Sequence, residues 1–258
     1  MTYILVTNDD GYNAPGIQAL VTAMREFGAV GVVAPSHNQS ASGHKKTLYT
    51  NIPYQNVELA DGSPALAITG SPADCIALAA LGAYQWPPRL VVSGINRGAN
   101  MGQDITYSGT ATAALEATIH GAPAVAFSLD NRGALALADY AVAAQVAMAV
   151  VRRVLEHQLP PLTILNVNVP NIANPKGVRL TRQGVRVYWD VLERDGDNYR
   201  IAGDPPGGRT DETGTDLWAV ANGYVSISPI HLDMTAHKFL ADLASWDFGL
   251  SSDRKPHV

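Results

Sequence analysis

The fold is decided by the stretch at residues 3–11, which reads YILVTNDDG. Its first five residues are apolar, aromatic or β-branched, as is typical of a buried strand, and the polar residues after them end in a glycine that permits a sharp turn. Apolar residues at helical spacing follow between Pro15 and Gly28, and a second strand-like run, VGVVA, occupies residues 30–34. Residues 1–35 therefore predict a βαβ unit with parallel strands and a right-handed crossover.

The alternation of strands and helices continues to residue 169. The pattern predicts further strands at residues 65–69, 90–93, 124–128 and 163–167, and helices after Ser71, at residues 110–120 and at residues 139–157. The SPAD sequence that starts at Ser71 combines an N-cap serine, a proline at the first helical position and an acidic residue in the first turn. Residues 1–169 are therefore predicted to form an α/β core with a doubly wound, Rossmann-like and mostly parallel sheet.

Residues 170–258 have a different character and are predicted to form a C-terminal extension, a β-hairpin and a helix. The chain from Pro170 to Asp211 is polar and turn-rich, with a hairpin signal, DGD, at residues 195–197. Residues 224–227 alternate like a strand, and residues 236–246 predict a final helix. Because a hairpin buries little apolar surface by itself, we expect the extension to pack on the core, on another subunit, or on both.

The composition argues against several classes of protein. The 258 residues carry a net charge of −5 and no Lys/Arg run longer than two residues, whereas a nucleic-acid binder usually has a basic face. A single cysteine, Cys75, excludes an internal disulfide. The first residues lack the pattern of a signal peptide, and the longest apolar stretch, near residues 141–151, is too short to span a membrane. We therefore expect a cytoplasmic protein that has no nucleic-acid or membrane partner.

Asp9 and Asp10 directly follow the first strand, at the edge of the sheet where doubly wound folds bind ligands. Neighbouring side chains of a regular strand point to opposite faces, so the two carboxylates converge only if the backbone turns, which Gly11 permits. Two carboxylates in one place repel each other unless a cation lies between them or one takes up a proton. The residues NDDG are also a good turn sequence, so the pair by itself leaves a turn and a metal site as alternatives.

Two later segments supply further polar groups at the same edge of the sheet. The loop at residues 34–44, APSHNQSASGH, contains Ser40, and residues 93–104, SGINRGANMGQD, contain Asn96 and Asn100. With the two aspartates, Ser40 and Asn96 make an all-oxygen set of candidate ligands. Such a set suits Mg²⁺ or Mn²⁺ better than zinc, which prefers histidine and cysteine.

The YSGT sequence at residues 107–110 predicts the start of a helix. Helix N-termini present free N–H groups and a partial positive charge, so Ser108, Gly109 and Thr110 are candidate contacts for a phosphate. A serine that only caps the helix explains Ser108 as well. The chain contains neither G-x-G-x-x-G nor G-x-x-x-x-G-K-[ST], so dinucleotide-binding and P-loop interpretations lose their main support.

Two other hydrolase classes are disfavoured by the residues around the aspartate pair. Phosphatases of the haloacid-dehalogenase type have D-x-D after the first strand, whereas Asp9 and Asp10 are adjacent. Zinc deacetylases with a His-Pro-Asp-Asp motif need a histidine before the pair, where this chain has Asn8. The histidines of the N-terminal half of the chain, His37, His44 and His120, form no H-x-x-x-H or HEXXH arrangement either.

Several segments, in order along the chain, resemble the SurE survival-protein family, whose members are also described as 5′/3′-nucleotidases. They are ILVTNDDGYNAPGI at residues 4–17, NQSASGH at 38–44, SGINRGANMGQDITYSGT at 93–110, DPPGG at 204–208, GTD at 214–216 and GYVSISPIHLDMT at 223–235. The resemblance covers nearly the whole chain, although residues 188–203 match too little to carry residue roles.

The resemblance implies a metal-dependent phosphatase. Members of the SurE family hydrolyse nucleoside 5′- and 3′-monophosphates, and some also hydrolyse short polyphosphate. We expect a metal-activated water to be the nucleophile. One divalent ion, Mg²⁺ or Mn²⁺, is expected on residues Asp9, Asp10, Ser40 and Asn96. The expected catalytic residues are Asp9, Asp10, Asn96 and Ser108, and the expected phosphate contacts are Ser40, Asn96, Asn100, Ser108, Gly109 and Thr110. The resemblance also implies a homodimer or homotetramer held together by the C-terminal extension.

Two alternatives to this mechanism stay open in the sequence. In the first, Asp9 is itself the nucleophile, as in phosphatases that form an aspartyl-phosphate. In the second, the chain is a nucleotide-sensing or metal-dependent nucleotide-binding protein that has the same pocket and no turnover.

Overall fold

Strands and helices alternate along the chain in the computed structural model, which describes residues 2–246 and residue 248. The strands are β1 (Tyr3–Thr7), β2 (Ala29–Pro35), β3 (Tyr54–Glu58), β4 (Pro64–Ile68), β5 (Leu90–Arg97), β6 (Ala124–Asp130), β7 (Thr163–Pro170), β8 (Val178–Leu180), β9 (Arg186–Asp195), β10 (Asn198–Gly208) and β11 (Val225–His231). The helices are α1 (Pro15–Met24), α2 (Pro72–Leu78), α3 (Gly109–Ile119), α4 (Ala141–Glu156), α5 (Asp216–Ala221) and α6 (His237–Leu243).

One large sheet has the strand order β3-β4-β2-β1-β5-β6-β7-β11-β8, and β9 and β10 form a separate two-stranded hairpin. The six strands from β4 to β7 in this order are parallel to one another. The strand β3 pairs antiparallel with β4, and β11 pairs antiparallel with β7. The strand β8 pairs parallel with β11 and therefore also runs opposite to the six. The predicted α/β fold with a mostly parallel sheet is therefore confirmed.

The strand β1 lies where the strand order changes direction. From β1 the sheet extends through β2 and β4 on one side and through β5, β6 and β7 on the other. The loops that follow β1 and its two neighbours separate at such a point and leave a crevice at the carboxyl ends of the strands. The three sequence segments that carry the predicted site residues lie at or after the carboxyl ends of β1, β2 and β5.

Helices cover both faces of the sheet. On one face α1 and α4 pack on a buried cluster that includes Ile4 and Ala143, and on the other α2 and α3 pack on a cluster that includes Leu5 and Ile76. Since both faces of β1 are covered, all five of its residues are buried. This burial explains why β1 is a continuous apolar run and does not alternate between apolar and polar residues.

Local sequence signals place the helices that border the crevice. Ser71 and Asp74 form the predicted capping box at the start of α2, each side chain accepting a hydrogen bond from the other residue's backbone N–H. Gly16 lets α1 approach the sheet, because a Cβ at this position would lie 2.1 Å from the carbonyl oxygen of Ile95 in β5. The helix α1 therefore lies directly against the strand that carries Asn96.

The C-terminal part of the chain contributes to the main sheet. The strand β11 pairs antiparallel with β7, and β8 pairs with β11, so two strands from residues 170–258 extend the core sheet. The hairpin β9–β10 turns where predicted, with Asp195 opposite Asn198. The helix α6 lies within the predicted residues 236–246. Residues 247 and 249–258 of the predicted extension lie outside the described residues.

One strand at the other edge of the sheet is not predicted by the sequence pattern. The residues of β3 are exposed or half-buried, and they pair antiparallel with β4 after a loop that contains no helix.

Among the residues that the structure describes, no helix is both long enough and apolar enough to cross a membrane.

Candidate functional site

Asp9 follows β1 directly and is held by the first turn of α3. Its side chain is buried, and its two carboxylate oxygens accept hydrogen bonds from the hydroxyl of Thr110 at 2.6 Å and from the backbone N–H of Thr110 at 3.2 Å. The start of α3 therefore fixes Asp9 at the carboxyl end of the central strand.

Asp10 is held by different partners. Its Oδ2 accepts a hydrogen bond from the backbone N–H of Arg97 at 3.1 Å, and its Oδ1 accepts one from the side-chain amide of Asn38 at 3.4 Å. The backbone turns after the pair, and the side-chain amide of Asn8 donates to the carbonyl oxygen of Gly11 at 2.8 Å. Asp10 thus links the loops that follow β1 and β2 to the end of β5.

Burial and mutual repulsion destabilise the charged forms of the two aspartates. Burial, with a further contribution from the charge of Asp10, raises the pKa of Asp9 to about 6, although the hydrogen bonds from Thr110 oppose the shift. Burial also raises the pKa of Asp10, against the lowering effect of Arg97. A cation between the two carboxylates would remove this electrostatic cost.

Gly109 allows α3 to approach the aspartate. A Cβ at this position would lie 2.8 Å from the Cβ of Asp9, 2.9 Å from Pro72 and 2.9 Å from the hydroxyl of Ser42. Any side chain here would therefore push the N-terminus of α3 away from Asp9.

Ser40 lies in the loop after β2, and this loop is tied to both neighbouring segments. The backbone N–H of Gln39 donates to the carbonyl oxygen of Asp9 at 2.7 Å, and that of Gly43 donates to Tyr107 at 3.0 Å. The backbone N–H of Ser40 donates to the side chain of Asn38 at 2.7 Å. Ser40 itself is exposed to solvent beside the crevice.

Asn96 is presented by an irregularity near the end of β5. The pairing of β5 with β6 shifts register between Ser93 and Asn96, as happens where a strand re-aims a side chain. Gly94 is required within this irregularity, because a Cβ there would lie 2.3 Å from the carbonyl oxygen of Phe127. The side-chain NH₂ of Asn96 donates to the carbonyl oxygen of Gly98 at 2.8 Å, so the amide nitrogen has a partner within the chain.

Asn100 belongs to a buried polar network. Its side-chain amide donates to the hydroxyl of Ser128 at 2.9 Å, and its backbone carbonyl accepts hydrogen bonds from the side chains of Asn166 and Asn168. Its backbone N–H donates to the side chain of Asn168 at 2.8 Å. This network fixes Asn100 to β6 and β7.

A cavity of about 360 Å³ lies at the crevice, a volume within the range of small-molecule sites. Five predicted site residues line it, namely Asp9, Ser40, Asn96, Asn100 and Ser108. The other three are close to it but outside its lining. Gly109 packs on Asp9, Thr110 donates to Asp9, and Asp10 lines a smaller neighbouring cavity together with Arg97. Ser108 also caps α3, accepting a hydrogen bond from the N–H of Ala111 at 3.0 Å.

Four further charged or aromatic residues line the cavity and were not assigned from the sequence. Arg97, Asp104 and Tyr107 lie within the glycine-rich segment, and Arg132 lies in the loop after β6. A cation in the loop after a parallel strand was a usable signal for Arg132, because that loop also opens at the carboxyl edge of the sheet.

The residues at the crevice fit a hard divalent cation. Asp9 and Asp10 supply two carboxylates, and Ser40 and Asn96 supply a hydroxyl and an amide oxygen, which are the oxygen donors that Mg²⁺ and Mn²⁺ prefer. Across the described residues, no three or more His, Cys, Asp or Glu side chains gather as a metal site. A metal at the aspartate pair must therefore draw its other protein ligands from neutral oxygens.

Comparison with known proteins identifies the family. A sequence model described as Survival protein SurE matches residues 4–190. The chain belongs to the SurE family. The protein named 5′-nucleotidase SurE in Chloroflexus aggregans is 43% identical over 253 residues, covering 95% of this chain and 99% of that protein. The 5′-nucleotidase SurE 1 of Thermus thermophilus is 48% identical over 250 residues, covering 93% and 96% of the two chains.

The crystal structure of the SurE protein from Aquifex aeolicus has the same fold. It superposes with a TM-score of 0.79 at 40% sequence identity, covering 93% of this chain and 98% of that one. The match therefore includes the C-terminal strands and not only the sheet around the crevice. The SurE resemblance seen in the sequence motifs is confirmed.

Proposed function

We propose that the chain is a divalent-metal-dependent 5′-nucleotidase that hydrolyses nucleoside 5′- and 3′-monophosphates to nucleoside and phosphate. The observation that carries this proposal is the position of Asp9, which lies beside the N-terminus of α3 and lines a cavity of ligand size, with the carboxylate of Asp10 next to it in the chain. Relatives in Chloroflexus aggregans and Thermus thermophilus that carry the name 5′-nucleotidase support the substrate class. We expect the activity in the cytoplasm.

We propose that Asp9, Asp10, Ser40 and Asn96 hold the cation, Mg²⁺ or Mn²⁺. When bound, such a cation withdraws charge from a phosphoryl oxygen and lowers the pKa of water, which supplies a nucleophile near neutral pH. Thr110 orients Asp9 for this purpose, since it donates hydrogen bonds to both carboxylate oxygens.

The hydrogen bonds at the start of α3 narrow the choice of N–H groups that can bind a phosphate oxygen. The N–H of Thr110 already donates to Asp9, and the N–H of Ala111 donates to Ser108. The N–H of Gly109 is therefore the group of this turn that we assign to a phosphate oxygen, with Ser108 and Asn100 as neighbouring side chains in the cavity wall. Fixed donors of this kind supply most of the catalysis in phosphoryl transfer.

The charges around the cavity favour a dianionic phosphate monoester. A divalent cation neutralises Asp9 and Asp10, and Arg186 forms an ion pair with Asp104. The guanidinium groups of Arg97 and Arg132 then leave a net positive charge at the cavity wall. Positive charge at the phosphate raises both capture of the anion and stabilisation of the transition state.

A phosphate-release panel tests the proposed function. Purified wild-type protein with Mn²⁺ or Mg²⁺ should release phosphate from AMP and GMP, lose the activity with EDTA and recover it with excess Mn²⁺. Adding 3′-AMP, short polyphosphate and an aryl phosphate to the panel defines the substrate range. Nucleotide binding without any phosphate release would instead support the sensing alternative. A phosphorylated Asp9 trapped by rapid quench would support the aspartyl-phosphate route.

A further inference from the structure

Asp104 places a further carboxylate in the wall of the cavity, and this carboxylate is held by side chains of β9. Its Oδ2 accepts a hydrogen bond from Nε of Arg186 at 2.5 Å, and its Oδ1 accepts one from the hydroxyl of Tyr188 at 2.6 Å. The side chains of Asp104 and Arg186 are only 16% and 9% exposed. Both donors belong to β9, so the hairpin fixes the orientation of a carboxylate that lines the candidate active site.

The chemistry of Asp104 suits the recognition of hydrogen-bond donors. The guanidinium of Arg186 offsets its negative charge, so the carboxylate need not repel a phosphate bound elsewhere in the cavity. An ionised carboxylate accepts about four hydrogen bonds, and Asp104 accepts two side-chain hydrogen bonds within the described part of the chain. Its remaining lone pairs can accept from hydroxyl groups but cannot bind phosphate oxygens.

Tyr107 adds an aromatic surface to the same cavity. Its side chain is 59% exposed, while its backbone is fixed at both ends. Its N–H donates to the carbonyl oxygen of Asp104 at 2.9 Å, and its carbonyl oxygen accepts from the N–H of Gly43 at 3.0 Å. A ring that is exposed on a fixed backbone is a suitable platform for a nucleobase, because every base has a π face that can stack on it.

We propose that Asp104 and Tyr107 form the nucleoside subsite of this cavity, where Asp104 accepts hydrogen bonds from the ribose hydroxyls and Tyr107 stacks against the base. The proposal rests on the nucleotidase function proposed above. Acidic residues read ribose hydroxyls by the same chemistry in dinucleotide-binding folds. Arg186 and Tyr188 are positioning residues that act through Asp104. If the subsite is as proposed, the protein discriminates between substrates that have ribose hydroxyls and substrates that lack them.

The test compares three substrates, AMP, 2′,3′-dideoxy-AMP and ribose 5-phosphate, by phosphate release with Mn²⁺. In the wild type, kcat/KM for AMP should exceed that for the dideoxynucleotide by about tenfold, the value of a hydrogen bond to a charged group. Asp104→Asn should reduce this ratio to about twofold, mainly through the KM for AMP, and Tyr188→Phe should give a ratio between the two. Tyr107→Ala should lower the preference for AMP over ribose 5-phosphate, and Tyr107→Phe should restore it. Asp195→Asn makes the same change at the exposed hairpin tip and should match the wild type.

The outcomes separate the subsite from the proposed function. An unchanged AMP to dideoxy-AMP ratio in an active Asp104→Asn protein overturns the ribose contact, and so does an equal loss on all three substrates. If Asp104→Asn fails to fold, the ratio measured with Tyr188→Phe decides in its place. Absence of phosphate release from every substrate with the wild type overturns the nucleotidase function itself.

Discussion

At the scale of single residues, Asp9 combines full burial with a position beside a second carboxylate. Burial and the charge of Asp10 raise the pKa of Asp9 to about 6, and Thr110 lowers it only in part. The metal-free protein therefore holds an energetically unfavourable pair of charges at neutral pH. This cost is what we expect of a site that is completed by a cation, because the same charges become favourable once the cation is bound.

Glu116 in α3 is the buried carboxylate with the opposite behaviour. Burial raises its pKa, but hydrogen bonds from His44, Lys46 and His120 outweigh burial and lower the pKa to about 2, from a usual value of 4.5. Since His44 and Lys46 follow Ser40 closely in the chain, these bonds also anchor the loop that carries the hydroxyl proposed as a metal ligand. The sequence did not indicate this anchor, because its members are spread over residues 44–120.

The depressed pKa of Glu116 predicts a specific dependence of stability on pH. A carboxyl whose folded pKa is lowered stabilises the fold above its unfolded pKa, and this contribution disappears as the pH falls towards the folded value. We expect Glu116→Gln to lower the free energy of unfolding at neutral pH by about 2 kcal/mol, less than the full linkage value because Lys46 is partly exposed. The difference from the wild type should shrink between about pH 5 and about pH 2.

Denaturant unfolding of both proteins over this pH range provides the measurement. Glu156→Gln is a matched control, because Glu156 forms an exposed pair with Arg153 on α4 and should change stability by less than about 0.5 kcal/mol. A difference for Glu116→Gln that stays constant with pH would contradict the role of its ionised form.

At the scale of elements, the start of α3 determines the geometry of the site. Gly109→Ala would place a methyl group 2.8 Å from the Cβ of Asp9 and 2.9 Å from the hydroxyl of Ser42. We expect it to lower stability by about 1–3 kcal/mol and to weaken Mn²⁺ binding, because the helix must move away from the carboxylate that it orients. Gly133→Ala is the control, since only the flexible side chain of Asn131 is nearby, at 3.3 Å. The affinity of both variants for Mn²⁺ is measured by calorimetric titration. An unaltered affinity of Gly109→Ala for Mn²⁺ would contradict the proposed geometry.

The elements that the sequence predicted are those with a strong local signal. The buried run of β1, the capping box of α2 and the turn of the β9–β10 hairpin each depend on neighbouring residues, and all three lie where the sequence placed them. The strand β3 escaped prediction because its residues are mostly exposed and its pairing depends on β4 alone. The positions of β8 and β11 in the main sheet likewise depend on partners that the local pattern does not name.

The residues of the candidate site were predictable where a local signal marks them, and their long-range pairings were not. Asp9, Ser40 and Asn96 could be grouped because each follows a strand that the sequence pattern predicts to be parallel, and the carboxyl ends of parallel strands lie at one edge of the sheet. The pairing of Asp104 with Arg186 joins residues 82 positions apart, and nothing in the local sequence of either residue indicates the other. The hydrogen bond from the N–H of Thr110 to Asp9 also became visible only in the structure. The cap that occupies the N–H of Ala111, by contrast, was one of the roles that the sequence offered for Ser108.

At the scale of the whole molecule, the hairpin and α6 expose apolar surface. Leu192 and Ile201 face each other across the hairpin and are 70% and 80% exposed, and Phe239 and Leu240 of α6 are also exposed. Exposed apolar groups on a projecting hairpin usually mark an interface. We propose that this extension holds together a homodimer or homotetramer.

The oligomer prediction is tested by light scattering after size exclusion. We expect the wild type to elute as a homodimer or homotetramer, and the Leu192→Glu/Ile201→Glu double variant to shift towards the monomer. Leu81→Glu, at a residue that is 75% exposed outside the extension, is the control and should leave the oligomer intact. A monomeric wild type at all concentrations would contradict the prediction.

We propose that a divalent cation held by Asp9 and Asp10 makes the molecule a nucleotidase, and Asp10→Asn tests this role of the cation most directly. Asp211→Asn, the same change at an exposed residue outside the cavity, is measured beside it. The Asp10→Asn protein should unfold like the wild type, bind Mn²⁺ at least about tenfold more weakly and release phosphate from AMP at least about a hundredfold more slowly, because the cation loses one of its two carboxylates. Wild-type rates of phosphate release from AMP by Asp10→Asn with Mn²⁺ would contradict the account.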